Sequence, residues 1–352
     1  MFCNGREGMD IRAYWKLDFT REKMTLWAGL AAFVLAVCFG SPAHANKLKV
    51  AAVLNSPVDH QWVSRVHVSL LKARDRGEID YLLAEAVAAS DTIRVIREYA
   101  EQGAELIVAE SYTVEREARD LAKEYPKIKF LLASSLPPDG TNVAVFDNWN
   151  QDAAYLGGIL AGSITKTNKL GAVGGMAIPE INRLIGAFRE GACTVNPKVQ
   201  MLVSFVGGFY NIPADKEAAL AQIESGADVI YAERFGANQA ALEKKKYAIA
   251  NLMVQDKAYD AAVITSTLWN AEPMFDAAIA DVKNGKFAAK DYGREYGSYV
   301  IGGSALAPLG EWEKKLPPDA VRAVKEAEAK MKAGTLKATI FQNKIDSGPC
   351  PK

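Results

Sequence analysis

The sequence predicts an α/β protein made of two doubly wound parallel-sheet lobes joined by a hinge. Three observations predict it. Short apolar runs alternate with stretches of helical spacing. The alternation comes as two successive arrays, and right-handed crossovers then leave little choice of topology. One signature also recurs: Gly103-Ala104-Glu105-Leu106-Ile107-Val108 is echoed by Gly226-Ala227-Asp228-Val229-Ile230-Tyr231, each a helix stop followed by a buried strand.

In the first array, Lys49 to Leu54 is a short apolar run suited to a strand buried on both faces, and it ends at the turn-prone Asn55-Ser56-Pro57. Trp62 to Arg76 has helical spacing and stops at Gly77. Tyr81-Leu82-Leu83 follows as a strand. Ser90 and Asp91 are expected to cap a helix running to Gln102, with Gly103 at its end. Leu106 to Ala109 is a strand, Glu115 to Glu124 a helix, Ile128 to Ala133 a strand and Asn142 to Phe146 another. A helix from Asp152 to Ile164 leads to the second array. It contains a strand at Leu170 to Gly175, a helix at Glu180 to Thr194, a strand at Gln200 to Val206 and a helix at Asp215 to Glu224. The expected division is 46–147 plus 257–292 for the first lobe and 148–256 plus 293–352 for the second. The crossing points are placed near Asp147, Asp256 and Gly293.

The 352 residues suffice for two lobes, and 42 Lys+Arg balance 42 Asp+Glu. That balance, with no basic run beyond Lys244-Lys245-Lys246, argues against a nucleic-acid partner. At the N-terminus, Arg21 and Lys23 precede an apolar run from Leu26 to Phe39, followed by Ala43-His44-Ala45. These are the parts of a secretory signal peptide, with cleavage expected after Ala45 and residues 1–45 removed. The run falls short of the ~20 residues that span a bilayer. Simple cleavage is preferred over lipid attachment at Cys38, because the bulky Val37 precedes that cysteine. The expected location is therefore the periplasm. Cys193 and Cys350 remain after cleavage, and the sequence leaves their pairing open.

Ligands in doubly wound sheets sit outside the carboxyl ends of the strands. Those ends are rich in aromatic and hydrogen-bonding residues. The candidate binding residues are Asp59, Trp62, Ser111, Tyr112, Asn148, Trp149, Phe209, Tyr210, Asp256 and Trp269. They offer faces on which a flat polar ring can stack and groups that can bond its edge. Glu233 and Arg234 are read as a pair at the rim. Catalytic chemistry is not expected. The phosphate-loop pattern is absent, and Gly171 to Gly175 lacks the dinucleotide spacing. His60 and His67 have no Cys or His at zinc-ligand spacing, so neither metal nor cofactor is expected.

Several pieces, in order, carry a resemblance. They are Gly103 to Val108, Tyr155-Leu156-Gly157-Gly158-Ile159-Leu160-Ala161-Gly162, Lys169 to Gly175 with Ile178-Pro179-Glu180 after it, Phe188-Arg189-Glu190-Gly191-Ala192, Asn196-Pro197, and Gly226 to Ile230. Over nearly the whole chain after Ala45, the sequence resembles the basic membrane protein family. These are ABC-transporter substrate-binding proteins of the purine nucleoside receptor group, with a type I periplasmic-binding fold. The resemblance implies a monomeric, non-enzymatic solute-binding protein that closes on a purine nucleobase or nucleoside and docks on an ABC permease. Asp59-His60-Gln61-Trp62 looks like the family motif of an Asp followed by a stacking aromatic. Asp256 looks like the Asp that bonds the ligand's sugar side. The family's Lys after the next strand is missing, and Trp269 stands in that neighbourhood. This departure is similar to a branch favouring a free base such as adenine. Two alternatives are a sugar or other small polar solute on the same fold and, more remotely, a nucleoside hydrolase.

Overall fold

The computed structural model describes residues 47–351. The expected leader, its cleavage point after Ala45 and Cys38 lie outside the described residues.

The first sheet has five strands: β1 (Leu48–Val53), β2 (Ile79–Ala84), β3 (Leu106–Glu110), β4 (Lys129–Ala133) and β5 (Val143–Phe146). They are ordered β2-β1-β3-β4-β5 and all pair in parallel. In this order the helices change faces between β1 and β3, the switch point at which doubly wound sheets bind ligands. The helices between these strands are α1 (Gln61–Asp75), α2 (Ala89–Glu101) and α3 (Glu115–Glu124). Helix α2 begins earlier than its capping residues suggest. Ala88 holds the N-cap position without a side-chain bond, so Ser90 and Asp91 lie inside the first turn. There Asp91 still meets the positive end of the helix dipole.

The second sheet repeats this plan. Its strands include β6 (Lys169–Gly174), β7 (Gln200–Phe205), β8 (Val229–Ala232), β9 (Tyr247–Ala250) and β10 (Val263–Trp269). The parallel order β7-β6-β8-β9-β10 is extended at its two edges by the antiparallel β11 (Ser304–Leu306) and β12 (Gly348–Pro349). Its switch point lies between β6 and β8. The helices are α4 (Gln151–Ile164), α5 (Pro179–Val195), α6 (Ile212–Glu224) and α7 (Gly236–Glu243). After β10 come α8 (Glu272–Lys283), α9 (Tyr292–Tyr296), α10 (Trp312–Lys315) and α11 (Pro318–Lys332).

Helices α4 and α5 explain two of the sequence pieces above. A Cβ at Gly158 would overlap the Phe188 carbonyl oxygen, and one at Gly191 would overlap the Tyr155 carbonyl oxygen. Only glycine lets the two backbones approach this closely. Thirteen of the fourteen residues of α4 are buried, so the helix is apolar all round.

The chain crosses between the sheets after β5, after β10 and again between α9 and β11. This corrects two expectations. Strand β10 pairs in parallel with β9, so residues 263–269 lie with the second sheet rather than the first. The return to the first sheet comes only with α8, whose Met274, Phe275, Ala278 and Ile279 pack in a core with Leu48, Val50 and Leu106. Asp256 is likewise not at a crossing. It caps a short 3₁₀ turn, Lys257–Tyr259, between two strands of the second sheet. Asp147 follows β5, the last strand of the first sheet. Gly293 packs directly on the Asp147 backbone and leads into the third crossing.

Cys193 of α5 and Cys350 after β12 form a disulfide, which settles the pairing the sequence left open. It closes a loop across a separation of 157 residues, pinning the C-terminal strand to the second sheet. Long loops gain the most from such a link. The double variant Cys193→Ser/Cys350→Ser is expected to lose about 2–5 kcal/mol of stability, and a reductant should lower the wild-type melting temperature to match. A change within about 0.5 kcal/mol would show that the tail docks without the bond.

Candidate functional site

The two switch points converge. The segment after β1 brings Asp59, His60, Gln61 and Trp62; the end of β3 brings Glu110 and Tyr112. From the second sheet, the segments after β7, β8 and β9 bring Phe209, Tyr210, Arg234, Phe235, Met253, Gln255 and Asp256. Between them lie a cavity of about 280 Å³ and, beside it, a chamber of about 30 Å³. The larger is close to the lower limit of small-molecule pockets, ~300 Å³. The smaller exceeds the roughly 10–15 Å³ needed to admit one water molecule. His60, Phe209 and Arg234 line both.

Phe209 is held by backbone geometry. The amides of Val206 and Gly207 donate to the Gly174 and Gly175 carbonyls, continuing the ladder beyond β7. Gly207 then turns the chain with φ +84°, a conformation that favours glycine. The Phe209 carbonyl accepts from Arg234 Nη1 at 2.9 Å and from His60 Nε2 at 3.0 Å. The second of these contacts joins the two lobes. So does the Gln61 side-chain amide, which donates to the Glu233 carbonyl at 2.7 Å.

Arg234 and Glu233 pair as the sequence suggested, but in the interior rather than at the rim. Their side chains are 3% and 0% exposed. The guanidinium grips the carboxylate through Nε at 3.0 Å and Nη2 at 2.5 Å. Gly175 N–H and Asn251 Nδ2 complete the carboxylate's shell. A buried pair is tolerable only when its remaining lone pairs are satisfied in this way.

Four ionisable groups around the site, His60, Glu110, Asp215 and Glu180, are pushed toward their neutral forms. Burial, and then the nearby Arg234, drives the pKa of His60 down to about 4. Burial pushes the Glu110 carboxyl up to about 7, against the opposing pull of the Asn55 and Ser56 backbone N–H groups. Burial raises Asp215 to about 6, with Arg234 pulling the other way. Glu180 is raised well above the ordinary range by burial and by the nearby Asp147 and Glu233. Removing ionic groups from water costs several kcal/mol each, which favours neutral forms.

Of the ten candidate residues, Asp59, Phe209, Tyr210 and Asp256 line the larger cavity, and Trp62, Tyr112 and Phe209 line the chamber. Ser111, Asn148, Trp149 and Trp269 line neither. The Ser111 hydroxyl donates to the Ala133 carbonyl at 2.9 Å. Asn148 Nδ2 donates to the Glu180 carboxyl, and the Arg183 and Arg294 guanidinium groups lie over the Trp149 ring, 4.1 and 5.3 Å from its centroid. Trp269 leans on Trp62 in the first lobe's core, 5.2 Å between centroids and tilted by 37°. Sequence reasoning did not select His60, Gln61, Glu110, Glu180, Asp215, Phe235, Met253 or Gln255. The signal for His60 and Gln61 was present, since they sit inside the Asp59–Trp62 motif. Ligand spacing tests His60 only as a zinc residue and passes over its capacity to bond an organic ligand.

Residues 47–293 match the family model described as Bmp: ABC transporter substrate-binding protein PnrA-like. The chain belongs to this family. A purine-binding protein of Brucella abortus is 26% identical over 88% of this chain and 87% of its own length. An ABC transporter protein of Haloferax volcanii, whose name gives glucose as its ligand, is 30% identical over 55% of this chain. That second match spans only 50% of the Haloferax protein. The fold is that of an ABC transporter solute-binding protein from Aeropyrum pernix, with a TM-score of 0.70 at 20% identity over 84% of this chain and 94% of that one. The family consists of extracytoplasmic substrate-binding proteins, which carry small solutes to a membrane permease. Among the described residues no helix is long and apolar enough to cross a membrane.

Proposed function

We propose that this Bmp-family protein captures a purine, as the free base or its nucleoside, by closing its two lobes, and presents it outside the cytoplasm to an ABC permease. The observation that carries this reading is the cavity at the paired switch points. Phe209, Tyr210 and Phe235 supply ring faces there, and Asp59, Gln255 and Asp256 supply polar groups along its edge. A flat ring with N–H donors matches that lining. The Brucella relative, aligned over most of both chains, supports the same ligand class.

The two bridging bonds, His60 to Phe209 and Gln61 to Glu233, are among the contacts that opening would break. Hinged closure of this kind turns on a few residues at the crossings. An aromatic pair adds about 0.5–1.5 kcal/mol beyond area burial. Each hydrogen bond to a charged group adds about 1.5–3 kcal/mol.

A sugar is the second reading. The Haloferax relative favours it, and rim carboxylates suit hydroxyl groups as well as amines. A thermal-shift panel of adenine, guanine, hypoxanthine, adenosine, guanosine, a pyrimidine nucleoside, ribose, glucose and galactose separates the two. A ligand at 100 times its Kd adds about 2.7 kcal/mol of stability. We expect purines to shift the melt and free sugars to leave it unchanged. Shifts with sugars alone would discard the purine assignment and leave the family membership standing.

A further inference from the structure

The first crossing is held from both lobes, and two of the residues that hold it also line the chamber. Asp147 and Asn148 follow directly on β5 and are both buried. From the second lobe, Glu180 and Arg183 at the start of α5 reach them, three residues apart and so on one face of the helix. Arg183 Nη2 donates to Asp147 Oδ2 at 2.7 Å and to the Asn148 carbonyl at 3.1 Å. The Glu180 carboxyl accepts from Asn148 Nδ2. From the first lobe, the Tyr112 hydroxyl donates to Asp147 Oδ1 at 2.9 Å. Tyr112 and Glu180 both line the chamber.

Tyr112 belongs firmly to the first lobe. The amide and the hydroxyl of its neighbour Ser111 both donate to the Ala133 carbonyl at the end of β4, at 3.2 and 2.9 Å. Its ring meets Trp62 edge-on. The Asp147 carboxylate therefore takes one donor from each lobe. When the lobes rotate about the crossings, that side chain can follow only one of them. Helix α5 holds the crossing by three hydrogen bonds, and one of these joins full charges whose side chains are each 4% exposed. Parting a buried ion pair is costly. Tyr112 holds it by a single bond from a neutral hydroxyl. The crossing thus moves with α5, and the bond from Tyr112 to Asp147 is the one that yields on opening and forms on closure.

We propose that Tyr112 is a positioning residue for closure: its hydroxyl fastens the first lobe to Asp147 in the closed form, so that the chamber wall and the hinge move together. This rests on the hinged closure proposed above and not on the identity of the ligand. A hydrogen bond to a carboxylate changes an equilibrium by about tenfold to a hundredfold. A binding equilibrium that includes closure loses the same factor with the hydroxyl.

The test is Tyr112→Phe, which keeps the ring and removes the hydroxyl. Exposed positions in each lobe, Glu117 of α3 and Glu217 of α6, are replaced by a ketone-bearing amino acid for spin labelling, which leaves the cysteines untouched. Electron–electron double resonance then reads the separation of the lobes in ligand-free protein. Wild type is expected to show a short and a long separation, and Tyr112→Phe to reduce the share of the short one at least about fivefold. Adenine and adenosine are titrated into both proteins. Each should bind the variant about tenfold or more weakly, with the loss in the dissociation rate. A hydroxyl that only touches the ligand would weaken binding and leave the ligand-free separations as they were. Unchanged separations therefore overturn the inference, whatever happens to affinity. If wild type binds neither adenine nor adenosine, the purine reading falls, and the separations still decide the role of Tyr112.

Discussion

Arg183→Met is expected to destabilise the protein by about 3–5 kcal/mol, the range for breaking a buried ion pair by removing one partner. Arg183 Nη2 donates to Asp147 Oδ2 at 2.7 Å and to the Asn148 carbonyl at 3.1 Å. Both side chains of the pair are 4% exposed. After the substitution, the Asp147 carboxylate keeps only the Tyr112 hydroxyl and the Asn148 amide as donors, both on Oδ1. Asp147 stands at the first crossing, so the damage falls where the lobes join. The loss also depends on pH. Burial raises the folded-state pKa of Asp147, against the opposing pull of Arg183, and removing Arg183 raises it further. An acid whose folded pKa lies above its unfolded value is most favoured in the fold at low pH, and that advantage fades as pH rises through the folded pKa. The variant should therefore be weaker at pH 8 than at pH 5. Urea unfolding at both pH values measures this. The double variant Asp147→Asn/Arg183→Met should recover much of the loss, since no uncompensated charge remains. A single variant within about 0.5 kcal/mol of wild type would show that the pair contributes nothing net.

Trp62→Ala is expected to remove about 3–5 kcal/mol of stability, the usual range for truncating a buried indole. The residue is 5% exposed. Its ring stacks on Phe146 at 5.7 Å and 22°, leans on Trp269 at 5.2 Å, and meets Tyr112 edge-on at 6.3 Å. Four aromatic side chains thus form one packed group, and only one side of Trp62 reaches the chamber wall. Phe209→Ala should behave in the opposite sense. Phe209 is half-buried and lines both spaces, so it is expected to weaken ligand binding at least about tenfold while costing no more than about 1–2 kcal/mol of stability. Melting temperature and affinity measured together on the two variants separate the roles. Equal losses of stability would show that Phe209 is also a core residue. Unchanged affinity in Phe209→Ala would remove it from the site.

The difference between these two aromatics shows where sequence reasoning stops. Trp62 and Phe209 both follow a strand end and both looked suited to stacking. Trp62 faces inward because the first turn of α1 lies over β5 and β10 brings Trp269 against it. Neither contact is local in sequence. The same limit applies to β10. Its run Val263–Trp269 is a buried strand by composition, but composition carries no information on which sheet it joins. Helix ends were legible to within a few residues, and the miss at α2 came from trusting capping residues that sit two and three residues past the cap.

The sequence by itself determined the class and order of most elements, because buried parallel strands and apolar helices leave local signatures. It determined the glycines that let α4 and α5 touch, and which aromatic and polar residues stand at the strand ends. Only the tertiary structure decided which of those ends share a cavity, and that Cys193 reaches Cys350. It alone placed Glu233 and Arg234 in the interior and brought Tyr112 and Arg183 to the one carboxylate of Asp147. Each of these depends on groups far apart in the chain being brought within a few ångströms. Burial, hydrogen-bond satisfaction and pKa are properties of those surroundings, not of the residue or its neighbours in sequence.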